Sequence, residues 1–180
     1  SGIESQTDSQ TIQKLTKINK KKIINEAYVF TKPLSPHWAA EIDKKHINFK
    51  MLKLPKVNGD LIVETAGGLM VPITRRFLQI DQIKKWNLPV ILVCKSSLGT
   101  LNHTLLSIEA LKKRNINIIG IVVNGKKHLD NPKTIFEFSG IPIIAEFPYI
   151  QKIDSNILDI LWEELDIRNK LVSLLNSKTR

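Results

Sequence analysis

Four short apolar runs, at residues 61–63, 88–94, 116–123 and 141–145, constrain the fold of this chain more than any other feature. Apart from Asn117 they hold no polar residue and show no polar alternation, as in parallel strands covered on both faces. The segments between them have helical spacing. A helix is expected to open at Thr74, with Phe77, Ile80 and Ile83 along one face. A second spans 100–114, with Leu101, Leu105, Ile108 and Leu111 as its stripe and basic residues in its last turn. A third starts at Asn131-Pro132 and stops at Gly140. Strands alternating with helices imply an α/β fold, a parallel sheet with helices on both faces and right-handed crossovers.

In open sheets of this kind, ligands bind beyond the carboxyl ends of the strands. Glu64, residues 96–99, Asn124, Pro148 and Tyr149 all fall at such ends. Glu64 has two readings: a carboxylate for a metal ion bound to phosphate oxygens, or a helix-capping or solvated loop acid. Ala66-Gly67-Gly68 after it lets the backbone turn sharply or approach a ligand. Gly99 and Thr100 open a helix, where free N–H groups suit an anion, although Thr100 could simply cap it. His103 reads as a packed or hydrogen-bonded helix residue and Cys94 as a buried strand residue. His37 and His46 lack metal-ligand spacing to one another. No Gly-x-x-x-x-Gly-Lys-[Ser/Thr] phosphate loop occurs in these residues.

Elsewhere, 7–16 reads as a short helix capped by Thr7, with Ile12 and Leu15 on one face. Residues 23–30 are irregular, and 47–54 are weakly patterned. Ser35 caps a short helix whose first position is Pro36. A tail over 151–180 is helical from 155 to 176, anchored by Leu158, Leu161, Leu165, Leu171 and Leu175. Residues 1–180 read as a single domain without a linker.

The net charge of +10 raises a nucleic-acid partner. The basic residues are dispersed, however, and only Lys20-Lys21-Lys22 forms a tight run. No aromatic platform is interleaved with them. No nucleic-acid role is expected. No apolar run approaches the roughly 20 residues that span a bilayer, so no membrane role is expected either. The lone Cys94 excludes an internal disulfide and suits a reducing, cytoplasmic location.

Six segments occur in an order that resembles the dethiobiotin synthetase family: Ser1-Gly2; Thr7-Asp8-Ser9; Lys32-Pro33-Leu34-Ser35-Pro36-His37; Val63-Glu64-Thr65-Ala66-Gly67-Gly68; Leu98-Gly99-Thr100-Leu101-Asn102-His103; and Val123-Asn124-Gly125. Glu146-Phe147-Pro148 follows where expected. The likeness implies a P-loop NTPase-like α/β fold, usually a homodimer. The implied reaction belongs to biotin biosynthesis. Carbon dioxide (or bicarbonate) and 7,8-diaminononanoate form a carbamate. ATP with Mg²⁺ phosphorylates it, and the second amine closes the ureido ring of dethiobiotin.

By position, the resemblance makes Asp8 and Glu64 the metal-binding carboxylates, with Glu64 also at the nucleotide. It gives Ser1 a catalytic and substrate-contacting place. It sets Ala66, Gly67 and Gly68 against the diamine. It makes Gly99, Thr100, Leu101 and Asn102 the helix start that receives the substrate carboxylate, across the dimer interface. Asn124 and Pro148 become the adenine-recognising edge. Thr65 stands where the family usually has glycine, so the turn is expected to be shifted or to need no unusual angle there.

The family's first strands and phosphate loop have no counterpart here. The expectation is a fragment, inactive alone, whose sheet exposes unpaired backbone and an apolar groove. The rival expectation is a non-catalytic degenerate relative that acts as a binding or dimerisation module. Binding through net charge alone would fall steeply with salt. We expect no measurable duplex-DNA binding by fluorescence anisotropy at physiological salt. Sequence-independent binding that persists there would restore the nucleic-acid reading.

Overall fold

The computed structural model describes residues 6–16 and 18–176. Contacts gather into two compact units that divide between Asn87 and Leu88.

The first unit begins with α1, Asp8–Thr16. Thr7 and Gln10 cap it reciprocally. The Thr7 N–H donates to Gln10 Oε1 (3.0 Å), and the Gln10 N–H donates to Thr7 Oγ1 (3.4 Å). Residues 23–30 are irregular, as expected. Next comes α2, Pro36–Ile42, with Pro36 in its first turn. Ser35 caps it through its backbone carbonyl and not its hydroxyl, accepting from the Trp38 and Ala39 N–H groups. Short 3-10 turns cover Lys20–Lys22 and Phe49–Leu52.

The strand expected at 61–63 does not form; these residues have no ladder partner among the described residues, and Ile62 is 95% exposed. Apolar content alone does not make a strand; backbone groups must find a neighbouring strand to pair with.

The helix expected from Thr74 begins later. Pro72–Thr74 (β1) and Phe77–Leu78 (β2) form an antiparallel hairpin around Arg75-Arg76, and the helix is α3, Gln79–Trp86. Val71 and Leu69 carbonyls accept from the Gln79 and Ile80 N–H groups, both at 2.8 Å. These bonds hold 72–78 extended, which suits its β-branched and aromatic residues. Asp81 then accepts the Leu78 N–H at 3.0 Å and starts α3. Ala39, Ala40, Ile73, Ile80 and Ile83 are buried. An Arg75–Glu41 fork, at 2.8 and 2.7 Å, joins the hairpin turn to α2.

The second unit holds a three-stranded parallel sheet in the order β3 (Val90–Lys95), β4 (Ile118–Asn124), β5 (Ile143–Phe147). Between them run α4 (Thr100–Lys113) and α5 (Asn131–Ser139), packed on each other. Gly140 ends α5 with φ +68°, the left-handed cap its sequence position suggested. The expected α/β class holds, with strands displaced towards their carboxyl ends by one or two residues.

The tail is two helices, not one. α6 (Ser155–Glu164) and α7 (Ile167–Asn176) are separated at Asp166, φ +49°. Of the expected anchors only Leu161 is fully buried; Ile167 joins it, and Leu175 is 51% exposed. The break turns α7 onto β4 and β5. No helix among the described residues is long and apolar enough to cross a membrane.

β4 is buried nearly throughout, whereas β3 lies at the sheet edge with Val93 63% exposed. Cys94 on β3 is therefore half-buried, not fully buried.

A Cβ added at Gly120 in β4 would overlap the side chain of Ile144, itself 2% exposed, and crowd the Pro142 carbonyl at 3.3 Å. Gly120→Ala is expected to cost about 1–3 kcal/mol. A lowered urea midpoint at unchanged slope would show it.

Candidate functional site

In the second unit, strand register builds the site. Lys95 pairs with Asn124, and Asn124 with Phe147, so all three strands end in one row. Asn124 is exposed at that row, and Pro148 and Tyr149 follow it, both exposed. The Gly125 N–H donates to the Phe147 carbonyl at 3.0 Å, which ties Asn124-Gly125 to the Pro148 loop. Gly125 has φ +133°, a conformation glycine adopts at little cost.

The loop after β3 leads into α4. Gly99 is its N-cap in the left-handed region, φ +89°. Leu98 is fully exposed, Asn102 and His103 are exposed, and Leu101 is half-buried. Thr100 faces inward. It is 6% exposed, and its hydroxyl lies 3.3 Å from that of buried Thr104. Thr100 thus packs under the helix start, while Gly99 and Asn102 remain open. His103 is not packed as expected, because it sits on the outer face of the first helical turn.

In the first unit, Asp8 opens α1 and Glu64 lies in a loop, both exposed. Neither carboxylate has a hydrogen bond or ion pair among the described residues. Among those residues no group of three or more His, Cys, Asp or Glu is placed to hold a metal. Each is nevertheless a ligand of the type Mg²⁺ takes, since that ion commonly binds one or two protein carboxylates and completes its shell with water and phosphate oxygens. Ser1 lies outside the described residues.

The turn after Glu64 explains Thr65. The left-handed residue is Gly67, φ +79°, and Thr65 is not among the residues of positive φ. A side chain at Gly67 would also meet Val71 Cγ2 at 3.2 Å, whereas Gly68 has open space. Ala66, Gly67 and Gly68 are all exposed.

Two features, one in each unit, had no signal in the sequence. Glu26, in the irregular segment, accepts from the Ser9 N–H at 2.8 Å and the Ser9 hydroxyl at 3.0 Å. It therefore grips α1 one residue beyond Asp8. Partial burial pushes the Glu26 carboxyl up, but the hydrogen bonds from Ser9 and Thr7 outweigh this and hold it below the ordinary glutamate range. His128 Nδ1 accepts from the Asp130 and Asn131 N–H groups at 3.2 and 3.0 Å, capping α5.

His37, from the Ser-Pro-His segment, lines a cleft of about 320 Å³ with Glu41, Lys45, His46, Arg75 and Arg76. Its Nδ1 is buried without a partner among the described residues. The Arg75 guanidinium holds the Glu41 carboxyl below its usual range. None of the residues expected to touch metal, nucleotide or substrate lines this cleft.

A family model described as an AAA domain matches residues 1–156. ATP-dependent dethiobiotin synthetase BioD of Brucella anthropi is 42% identical over 164 residues, covering 91% of this chain and 77% of that protein. The protein of the same name from Lawsonia intracellularis is 44% identical over 152 residues, covering 84% and 73%. The chain belongs to the dethiobiotin synthetase family. A biotin biosynthesis bifunctional protein, BioCD of Bordetella avium, is 38% identical over 170 residues, which cover 94% of this chain and 37% of that longer protein. For a dethiobiotin synthetase, an ATP-dependent ligase by family, the carboxyl edge of a parallel sheet is the expected place for the nucleotide.

The Glu26 carboxylate stays charged in the fold below the pH at which an unfolded glutamate protonates. Its contribution is full above the unfolded value and is lost as pH falls through the folded one. We expect Ser9 amide-exchange protection to drop as pH falls below the ordinary glutamate range. Glu26→Gln should make that protection independent of pH there. An equal acid response in both proteins would assign it to another group.

Proposed function

We propose that this chain provides the substrate and nucleotide-base machinery of an ATP-dependent dethiobiotin synthetase. In this reading residues 1–180 form one dethiobiotin synthetase-like domain, cytoplasmic and acting as a homodimer. The observation that carries it is the row Lys95–Asn124–Phe147, which presents Asn124 beside the Pro148 loop at the carboxyl edge of the sheet. The family membership gives that edge its chemistry.

The ring closure needs two amines of 7,8-diaminononanoate, one carbon from carbon dioxide or bicarbonate, and activation of the carbamate oxygen by ATP. Asn124 suits base recognition because an amide offers both a donor and an acceptor to adenine. Pro148 closes one side of that edge. The open backbone at Gly99 and the amide of Asn102, at the start of α4, suit the substrate carboxylate, since unpaired N–H groups and the helix dipole favour an anion. Ala66, Gly67 and Gly68 leave backbone accessible for the diamine. Ser1 is assigned to the substrate by family position alone.

Asp8 and Glu64 would hold Mg²⁺, which when bound neutralises the charge that grows on the phosphate oxygens. The role of these two carboxylates is to offer oxygens that no other side chain engages. In the described residues nothing competes for them. Phosphoryl transfer of this kind depends mainly on positioning and charge stabilisation.

The test is phosphate release by the full-length protein with Mg-ATP, bicarbonate and 7,8-diaminononanoate. Release that requires the diamine is expected, with dethiobiotin detected by mass. Release no greater with the diamine than without it would sink the proposal. Asp8→Asn and Glu64→Gln are each expected to lower kcat/KM by more than about 100-fold, since even indirect partners of a metal cost 10–100-fold. Circular dichroism should be unchanged, because both side chains are exposed.

A further inference from the structure

Ser96 stands between the two loops of the second unit to which nucleotide and substrate have just been assigned. It is the first residue beyond β3 and is 8% exposed. Its N–H donates to the Asn124 carbonyl at 3.0 Å, extending the β3–β4 ladder by one rung. Its hydroxyl donates to the Lys126 carbonyl. Its own carbonyl accepts from Asn131 Nδ2 at 3.4 Å, and Asn131 is likewise 8% exposed. Residues 126 and 131 bound the loop between β4 and α5, so both ends of that loop are pinned to one residue.

The packing is close. A Cβ on Gly125 would lie 2.8 Å from Ser96 Oγ, so the Asn-Gly turn is shaped around the serine hydroxyl. On the other side, the chain runs directly from Ser96 into the Gly99 cap, and the Ser97 carbonyl accepts the Thr100 N–H at 3.1 Å. All the backbone and hydroxyl donors of Ser96 are engaged, so it has no donor left to offer a ligand. Its influence runs through what it holds.

We propose that Ser96 is a positioning residue that fixes the Asn124 turn and the α4 entry loop relative to each other, and so sets both base selectivity and substrate affinity. This rests on the reading of Asn124 as the base-recognising residue. Loss of the hydroxyl leaves the Lys126 carbonyl without its donor and frees the turn that carries Asn124. Asn124 then samples orientations in which its amide does not match the base. Discrimination between adenine and guanine falls more than overall stability does.

The experiment uses the full-length protein with Ser96→Ala, Ser96→Thr, Asn131→Ala and Asn124→Ala. Dissociation constants for ATP and GTP are measured by competition against a fluorescent ATP analogue, alongside the KM for 7,8-diaminononanoate and the melting temperature. Ser96→Ala is expected to weaken ATP by roughly threefold to tenfold, the size of one lost hydrogen bond, with GTP much less affected. The diamine KM should rise with kcat little changed. Ser96→Thr keeps the hydroxyl and should keep the wild-type ATP-to-GTP ratio. Asn131→Ala removes a different arm of the anchor, so it gives the same change in smaller measure and serves if Ser96→Ala does not fold. An unchanged ratio in both Ser96→Ala and Asn131→Ala, with Asn124→Ala abolishing it, would overturn the role of Ser96 while leaving the base reading intact. A ratio indifferent to Asn124→Ala, or a wild-type ratio near one, would overturn the base reading and this inference with it.

Discussion

The parallel ladder between β3, β4 and β5 is the constraint on which the second unit depends. Its strands end in one row because Lys95, Asn124 and Phe147 are in register. A parallel pair cannot be closed by a tight turn, so each strand must be followed by a crossover. Each crossover here is a helix whose first residues leave from that same edge. The sheet therefore collects the starts of α4 and α5 and the Pro148 loop in one region without any direct pairing among their side chains. Ser96 and Gly125 then join two of these exits through a hydroxyl, a carbonyl and an absent Cβ.

The first unit is held differently. It has a small buried set around Ala39, Ala40, Ile73, Ile80 and Ile83, and much of its order comes from side chains gripping loop backbone. Asp43 holds Thr31 through its N–H and hydroxyl, Glu26 holds Ser9, and the Trp86 indole donates to the Leu52 carbonyl at 2.7 Å. The Arg75–Glu41 fork is well formed, but both partners are exposed, so solvent screening leaves it a small share of the stability. It also ties the hairpin turn to α2. Asp8 and Glu64 belong to this unit and stay free of all these contacts, which keeps their oxygens available.

Much of the second unit was legible because its elements bury apolar faces with clear periods. α4 and α5 begin and end close to where Thr100, Asn131-Pro132 and Gly140 indicated, and the strands were displaced by only a residue or two. The first unit was harder to read. Residues 61–63 have the composition of a buried strand, yet no ladder forms beside them among the described residues. The spacing of Phe77, Ile80 and Ile83 suggested a helix from Thr74, yet backbone bonds to the Val71 and Leu69 carbonyls hold 72–78 in a hairpin. In both cases the deciding partner is distant from the local pattern. The tail shows the same limit: leucine spacing suggested one helix, but Asp166 breaks it so that α7 can reach the sheet.

The order of motifs along the chain was enough to identify the family, because Ser-Pro-His, Glu-Thr-Ala-Gly-Gly, Gly-Thr-Leu-Asn-His and Asn-Gly in that sequence are a joint pattern that no single element's packing requires. The residue types also carried the chemistry, since carboxylates, an amide and glycines each permit only certain ligands. What the sequence by itself did not determine is which groups are free to act. The side chains of Asp8, Glu64 and Asn124 are available because none of them is engaged by a hydrogen bond or ion pair among the described residues, while Thr100 turns inward to Thr104 and Ser96 is consumed in holding two loops. Availability depends on neighbours brought from 30 or more residues away, as Lys126 and Asn131 are to Ser96. Only tertiary packing supplies such neighbours, because a hydrogen bond is decided by distance and direction in space and not by spacing along the chain.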